Sequence, residues 1–384
     1  MCSIKINSTP PISVLLVATL IFLVACTHEN ISTDKKVNIE NSKYIVSLSR
    51  AREPYSKLLF LNSDGALLQS YAYKGYSINS INYFKGKLFL TSNRLNEHYI
   101  LDSNGKIEKY SNANEQKNNK YSASWFTRKG EKTLIETVNV GRINNEYLSD
   151  VIYSYKGQKK RSTLVNQYLN GALDKNGKIF VESYSENDKK NGITIIDKDS
   201  AKTEKRINFK NSFTSSSGEL IECNNKIVTY GNDNSNSSQN VAAKSAIGVL
   251  NSETYEVLEY LFDKEKIIFS YAYKDNIYTI TDNNSIYKFN DKLEIIEKKE
   301  ITDKTFFANL TGNNYTIRKV ICSDGIVSVL YTSRKFDVKN LGFIAEYKCD
   351  DIGLLNKFNI NLKNEKMWLG EVVDFIKLES AASG

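Results

Sequence analysis

The sequence predicts an all-β protein: a seven-bladed β-propeller of four-stranded antiparallel blades, its ring closed by the C-terminal strand. Two observations carry that reading. The first is a tight turn that recurs with an apolar run behind it. Phe84-Lys85-Gly86-Lys87 returns as Arg128-Lys129-Gly130-Glu131, Lys175-Asn176-Gly177-Lys178, Cys223-Asn224-Asn225-Lys226, Tyr273-Lys274-Asp275-Asn276 and Cys322-Ser323-Asp324-Gly325, at spacings of 44, 47, 48, 51 and 49 residues. The runs that follow are KLFL, TLIE, KIFV, KIVT, IYTI and IVSV. One step back from Lys85 stands Asn41-Ser42-Lys43 before Tyr44-Ile45-Val46, which makes seven units. The second observation is another turn inside each unit, at 62–65, 102–105, 154–157, 197–200, 251–254, 290–292 and 349–353. Asp, Asn and Gly tolerate the left-handed backbone such turns require. A lone four-stranded sheet cannot bury both faces, whereas a ring of them can. Rings of six or eight blades, a long β-sandwich and a β-helix are the alternatives.

Residues 1–11 carry one charged side chain, Lys5, and residues 12–25 (ISVLLVATLIFLVA) are uncharged and mostly apolar. Fourteen such residues fall short of the roughly 20 that span a bilayer as a helix. They have the length of a signal-peptide apolar region. The stretch ends in Leu23-Val24-Ala25-Cys26, which resembles the lipobox of bacterial lipoproteins. That resemblance implies removal of residues 1–25 and a diacylglyceryl group on the Cys26 thiol. It also implies a protein held by acyl chains of the palmitate kind to the outside of the bacterial cell membrane. Two acyl chains satisfy the two-signal requirement for stable anchoring. An ordinary secretory peptide, or an uncleaved anchor, with an incidental Cys is the alternative. Residues 26–42 are polar and read as a tether.

The propeller is expected over 43–378, with blades at 43–75, 76–115, 121–166, 168–210, 213–264, 266–303 and 315–363. Residues 366–378 (KMWLGEVVDFIKL) are a strand left over after seven units, suited to completing the first blade and covering a sheet edge. The tail 379–384 (ESAASG) is expected to be disordered. Two long polar loops, 112–120 and 232–240, are expected at the surface. SYAYK at 70–74 and again at 270–274 is out of register with the repeat and reads as coincidence.

At 384 residues and 41% hydrophobic content the chain can bury a large core, and a propeller of this size is one domain. The 52 basic and 44 acidic residues leave a net charge of +8. They are interspersed without a run of five like charges, which argues against nucleic acid as a partner. A mildly basic surface suits an anionic cell envelope.

The residue inventory restricts the chemistry. Beyond Cys2 and Cys26 there are Cys223, Cys322 and Cys349, with no CxxC, read as three separate buried thiols. Cys322 and Cys349 are expected at the ends of the first and third strands of one blade, two strand spacings apart. The only histidines are His28 and His98, the latter read as a surface loop residue. Zinc, iron and His-base chemistry need several positioned imidazoles. No metal and no cofactor is therefore expected. Residues 233–240 look superficially like a calcium loop but lack its Gly and terminal Glu. Carboxylate chemistry of the glycosidase type remains open. Trp125, Tyr271, Tyr273, Arg318 and Trp368 fall on expected innermost strands, and these line a propeller's central channel. They are the candidate ligand-binding residues, each with packing between blades as its bland alternative.

In architecture the chain resembles lipid-anchored bacterial β-propeller proteins of the quinoprotein-type and YncE-like kind; in motif the resemblance is limited to the lipobox. The expected role is a membrane-anchored extracytoplasmic binding or scaffold module for a protein, peptide or envelope polymer, without catalysis. The alternative is an extracytoplasmic carbohydrate-active hydrolase or lyase using carboxylates at the channel mouth.

Overall fold

A computed structural model describes residues 36–50, 53–112, 123–211, 215–216, 219–233, 244–303, 306, 314–335, 339–362 and 370–378. The expected signal peptide (1–25), most of the expected tether (26–42), Trp368, the tail 379–384 and most of both polar loops lie outside these residues. The described chain forms seven antiparallel sheets, and their order around the ring follows the sequence: a seven-bladed β-propeller. From the second blade on, each blade runs from its innermost strand outward. The innermost strands of blades 2 to 7 are Ile78–Phe84, Ser124–Lys129, Gln167–Lys175, the broken pair Ser215–Ser216 and Ile221–Cys223, Ile267–Tyr273, and Tyr315–Ser323. Blade 1 is built from both ends of the chain. Its outer three strands are Tyr44–Ser49, Ser56–Leu61 and Leu67–Tyr73, and its innermost strand is the C-terminal Glu371–Lys377. Tyr44 pairs with Lys377 and Ser49 with Glu371, so the last strand closes the ring.

The recurring turns have a physical basis in both positions. In the turns that join first to second strands, Lys85-Gly86, Asn176-Gly177, Lys274-Asp275 and Asp324-Gly325 all have positive φ. That is the geometry that matches the right-handed twist of the flanking strands. Blade 3 departs from this pattern: its first strand ends at Lys129 and the next begins at Leu134, with Gly130 N donating to Thr133 O. In the turns that join third to fourth strands, the leading Asn or Asp accepts from the backbone ahead of it. Asn62 Oδ1 takes Asp64 and Ala66, Asp102 Oδ1 takes Asn104 and Lys106, and Asn290 Oδ1 takes Lys292 and Glu294. Such side-chain mimicry of a turn is why these residue types recur at that spacing.

Packing occurs between blades. Second strands are buried on both faces, as in Tyr44–Ser49, and the apolar clusters bridge neighbours. Phe269, Tyr278 and Ile280 of blade 6 meet Val329, Phe343 and Tyr347 of blade 7. Tyr44, Val46 and Phe375 of blade 1 meet Leu330, Ile344 and Phe358 of blade 7.

A carboxylate fixes the closure. Asp374, 5% exposed on the C-terminal strand, accepts the backbone N–H of Ile81 in blade 2 at 2.7 Å. Its other oxygen lies 2.9 Å from Lys319 Nζ of blade 7. One side chain thus joins three blades. Removing one member of a buried, hydrogen-bonded pair strands the other. Asp374→Ala is expected to lower stability by about 3 kcal/mol, and Asp374→Asn, which keeps an acceptor for Ile81, by clearly less. Urea denaturation followed by tryptophan fluorescence measures both.

Candidate functional site: the central channel

The innermost strands all run the same way, so their unpaired edges surround one axial cavity of about 1060 Å³ with wall residues from every blade. Its wall is shaped by a repeated irregularity. In five blades one residue of the innermost strand is skipped in the pairing register: Asn79, Asn170, Ile268, Arg318 and Val373. These bulges stand at the same level of the ring, and Asn79, Ile268, Arg318 and Val373 line the cavity. A bulge leaves an unladdered residue and re-aims its neighbours.

Arginines answer the carbonyls freed there. Arg318 Nε donates to Val373 O at 3.1 Å, and Arg128 Nη2 donates to Asn170 O at 3.3 Å, in each case from one blade to the next. Burial lowers the Arg128 pKa, against the pull of Glu219, Asp374 and Glu182. For Lys319, burial acts downward too, but Asp374 and Glu219 outweigh it and hold the ammonium above its ordinary value. Of the wall carboxylates, Asp374 pairs with Lys319, Glu219 lies 3.9 Å from Lys319 Nζ, and Glu222 pairs with Lys175. The wall is thus mixed apolar and ionic: each of its three carboxylates has an ammonium on another blade, and its cations Arg128, Lys129, Arg318, Lys319 and Lys377 outnumber them.

The five candidate ligand residues divide. Arg318 is exposed on the cavity wall. Tyr271 lines the cavity with part of its surface, but it is 2% exposed, stacks on Tyr278 at 5.2 Å and donates its hydroxyl to Cys349 O at 2.6 Å. Tyr273 sits at the strand's end, its hydroxyl against the Gly325 turn. Trp125 belongs to the contact between blades 2 and 3: it is 6% exposed and packs 4.8 Å from the His98 ring. Trp368 lies outside the described residues. Asn79, Arg128, Lys319 and Asp374 escape sequence reading. They share neither a residue type nor an offset from the recurring turns.

Two further readings need correction. His98 is not a surface loop residue. It opens the third strand of blade 2, has no exposure, and accepts from Ser92 N through Nδ1 at 3.3 Å. Burial, with Lys159 nearby, pushes its pKa down to about 3. The unfolded chain takes up a proton near pH 6.5 that the folded chain refuses. Stability contributed by the neutral ring is therefore full above pH 6.5 and falls as the pH drops toward 3. The neighbouring Glu136 carboxyl, raised by burial, acts in the opposite direction. The difference between wild type and His98→Gln isolates the imidazole. In urea melts between pH 7.5 and 4.5 the variant should lose less stability on the acid side, by up to about 1.4 kcal/mol per pH unit.

The thiols are not all separate either. Cys322 Sγ and Cys349 Sγ lie 3.3 Å apart, while Cys223 is buried elsewhere. Cys349 follows the third strand of blade 7, and its N–H donates to Gly325 O. That bond folds the outer turn inward over the inner hairpin and removes the two-strand separation. The contact with Cys349, helped by Lys377, holds the Cys322 thiol below its ordinary range, and Cys349 is pushed up. Glutathione disulfide should oxidise this pair, the two thiols losing two protons and two electrons as two glutathione thiols leave. Among the propeller's cysteines only Cys223 should then be alkylated after unfolding; alkylation of all three would refute the pairing.

Among the described residues no group of three or more His, Cys, Asp and Glu is arranged to hold a metal ion, and no helix is long and apolar enough to cross a membrane. No protein-family description matches the chain, and no curated protein matches its sequence. Solved structures do match its shape. A mutant of Synechocystis ACO superposes with a TM-score of 0.52 at 8% identity, over 90% of this chain and 94% of that one. Virginiamycin B lyase from Staphylococcus aureus superposes with a TM-score of 0.50 at 16% identity, over 80% and 89%. Identities this low show the propeller fold alone. BamB from Moraxella catarrhalis is matched with a TM-score of 0.47 at 12% identity, over 77% and 80%.

Proposed function

We propose that this protein is a binding propeller, held outside the cytoplasm by lipid on Cys26, that presents a channel mouth and loops to a protein, peptide or envelope polymer. The observation that carries this reading is the state of the channel's charges. Among the described residues, all three carboxylates on the cavity wall face an ammonium, and Asp374 also takes a backbone N–H. Hydrolysis or elimination on a sugar needs a carboxyl group able to pass a proton, commonly with a second one across the scissile bond. These carboxylates hold blades together instead. A rigid ring whose cavity mixes apolar side chains, paired carboxylates and surplus cations suits recognition by packing, hydrogen bonds and a few ionic anchors.

Anchoring rests on the apolar run 12–25 and the lipobox-like Leu23-Val24-Ala25-Cys26. Crosslinking in intact cells, comparing wild type with Cys26→Ala, tests both parts. One stoichiometric partner recovered only from the anchored form is the expected result. Cell-wall glycan recovered in place of a protein would move the carbohydrate-active reading ahead, with Glu219 and Glu222 as the first residues to replace.

A further inference from the structure

Ten large apolar side chains are exposed among the described residues, and eight of them fall in one pattern. Leu67 and Leu68, Leu258 and Leu261, Ile295 and Ile296, and Leu354 and Leu355 belong to the outermost strands of blades 1, 5, 6 and 7. These four blades are consecutive around the ring, since blade 7 adjoins blade 1. All but Leu261, which pairs with Ala246 toward the far end of its strand, also share a level. Leu67, Val257, Ile295 and Leu354 are the first residues of their strands, paired with Leu61, Leu250, Phe289 and Tyr347 at the ends of the third strands. The corresponding residues of blades 3 and 4, Gln158-Lys159 and Thr203-Glu204, are polar. The result is an apolar crescent over half of the rim, at the face that carries the hairpin turns. Scattered exposed leucines need no explanation, but an ordered arc does.

The chain that leads toward Cys26 emerges at this same face. Val37 N donates to Ser103 O in a blade 2 hairpin turn. Gln69, two residues from Leu67, grips the segment through Asn38 N at 3.0 Å and Lys36 O at 3.2 Å. Val37 and Ile39 are buried, and Lys36 points to solvent. Nine residues lie between Cys26 and Lys36, a reach of at most about 35 Å when extended. A lipid on Cys26 therefore keeps the bilayer within that distance of the crescent's blade 1 end.

We propose that the crescent is a bilayer-docking surface: the hairpin face lies against the membrane, and the rim leucines and isoleucines enter the headgroup and upper acyl region. The inference rests on the lipoprotein reading of Cys26 for its orientation. Half-exposed apolar side chains add insertion energy that the anchor alone lacks, and the net charge, +8 for the full chain and +7 without residues 1–25, favours anionic lipid. The docked ring stands in one orientation, with the opposite face and its blade-to-blade connections turned away from the membrane.

The test uses the chain from Cys26 onward, without acylation, and vesicles of phosphatidylglycerol and phosphatidylethanolamine. Wild type should co-sediment with them, and a Leu68→Ser, Leu258→Ser, Ile296→Ser, Leu354→Ser variant should bind about tenfold or more weakly while keeping its melting temperature. In acylated protein on the same vesicles, a bimane probe at Ile296→Cys should be quenched by lipids brominated in the upper acyl chain. One at Arg142→Cys, on the opposite face, should not. Equal binding of wild type and variant, or an unquenched probe at 296, overturns the proposal. So does a variant that changes only self-association or capture of a protein partner. Mass analysis of the N-terminal peptide from cells decides the lipoprotein reading separately. An acylated Cys26 with an inert crescent refutes the docking surface alone, and an unmodified Cys26 with vesicle binding refutes the anchor alone.

Discussion

The ring depends on a bond between residues separated by about three quarters of the chain. Asp374 holds Ile81, 293 residues away in sequence, and Lys319, 55 residues away. Without that meeting, the C-terminal strand keeps its ladder to Tyr44–Ser49, its apolar packing and the Arg318 bond to Val373 O, but loses the one side chain that ties it to blades 2 and 7 at once. Closure entropy grows only slowly with loop length, so joining such distant residues costs little more than joining near ones. What it requires is accuracy, since a buried carboxylate stabilises only where its hydrogen bonds are complete. The same demand explains the arginines at the bulges. Bulged strands free carbonyls toward the axis, and Arg128 and Arg318 satisfy two of these from the preceding blade.

The axis is consequently occupied by the protein's own electrostatics. Lys319 on blade 7 meets carboxylates on blades 1 and 5 across blade boundaries, and Arg128 on blade 3 lies within their pull. A ligand entering the cavity competes with these bonds or reads the polar edges that remain. This ordering separates the molecule into a self-satisfied interior and a communicating periphery. The exposed apolar side chains sit on the rim rather than in the channel.

The architecture is legible in the sequence because it is written in turns. Asn62, Asp102 and Asn290 recur as acceptors that build the same local bonds, and Lys85-Gly86 and Asn176-Gly177 recur as positive-φ pairs. Such requirements are local and therefore visible in a single chain. The channel is not legible in the same way. Arg318 stands on the wall, as its place in the repeat suggests, but Trp125 is drawn into the contact between blades by His98, whose burial no local pattern announces. Cys322 and Cys349 meet because one outer turn folds inward through Cys349 N and Gly325 O. Which side chains meet between sheets is a matter of register across blades, and the repeat specifies spacing without specifying partners.

The innermost strand of blade 1 is the last of the described strands to leave the ribosome. Every other blade starts from its centre, but the first must wait for residues 371–377 before its central position is filled. During synthesis one side of Tyr44–Ser49 is an open edge, the kind of edge that recruits other strands. A stop codon just ahead of residue 371 would leave nearly all of the blade sequence and a ring that cannot shut. Quality control of this chain is thereby concentrated at its final strand: a molecule that has closed has, by that fact, been made through to residue 377.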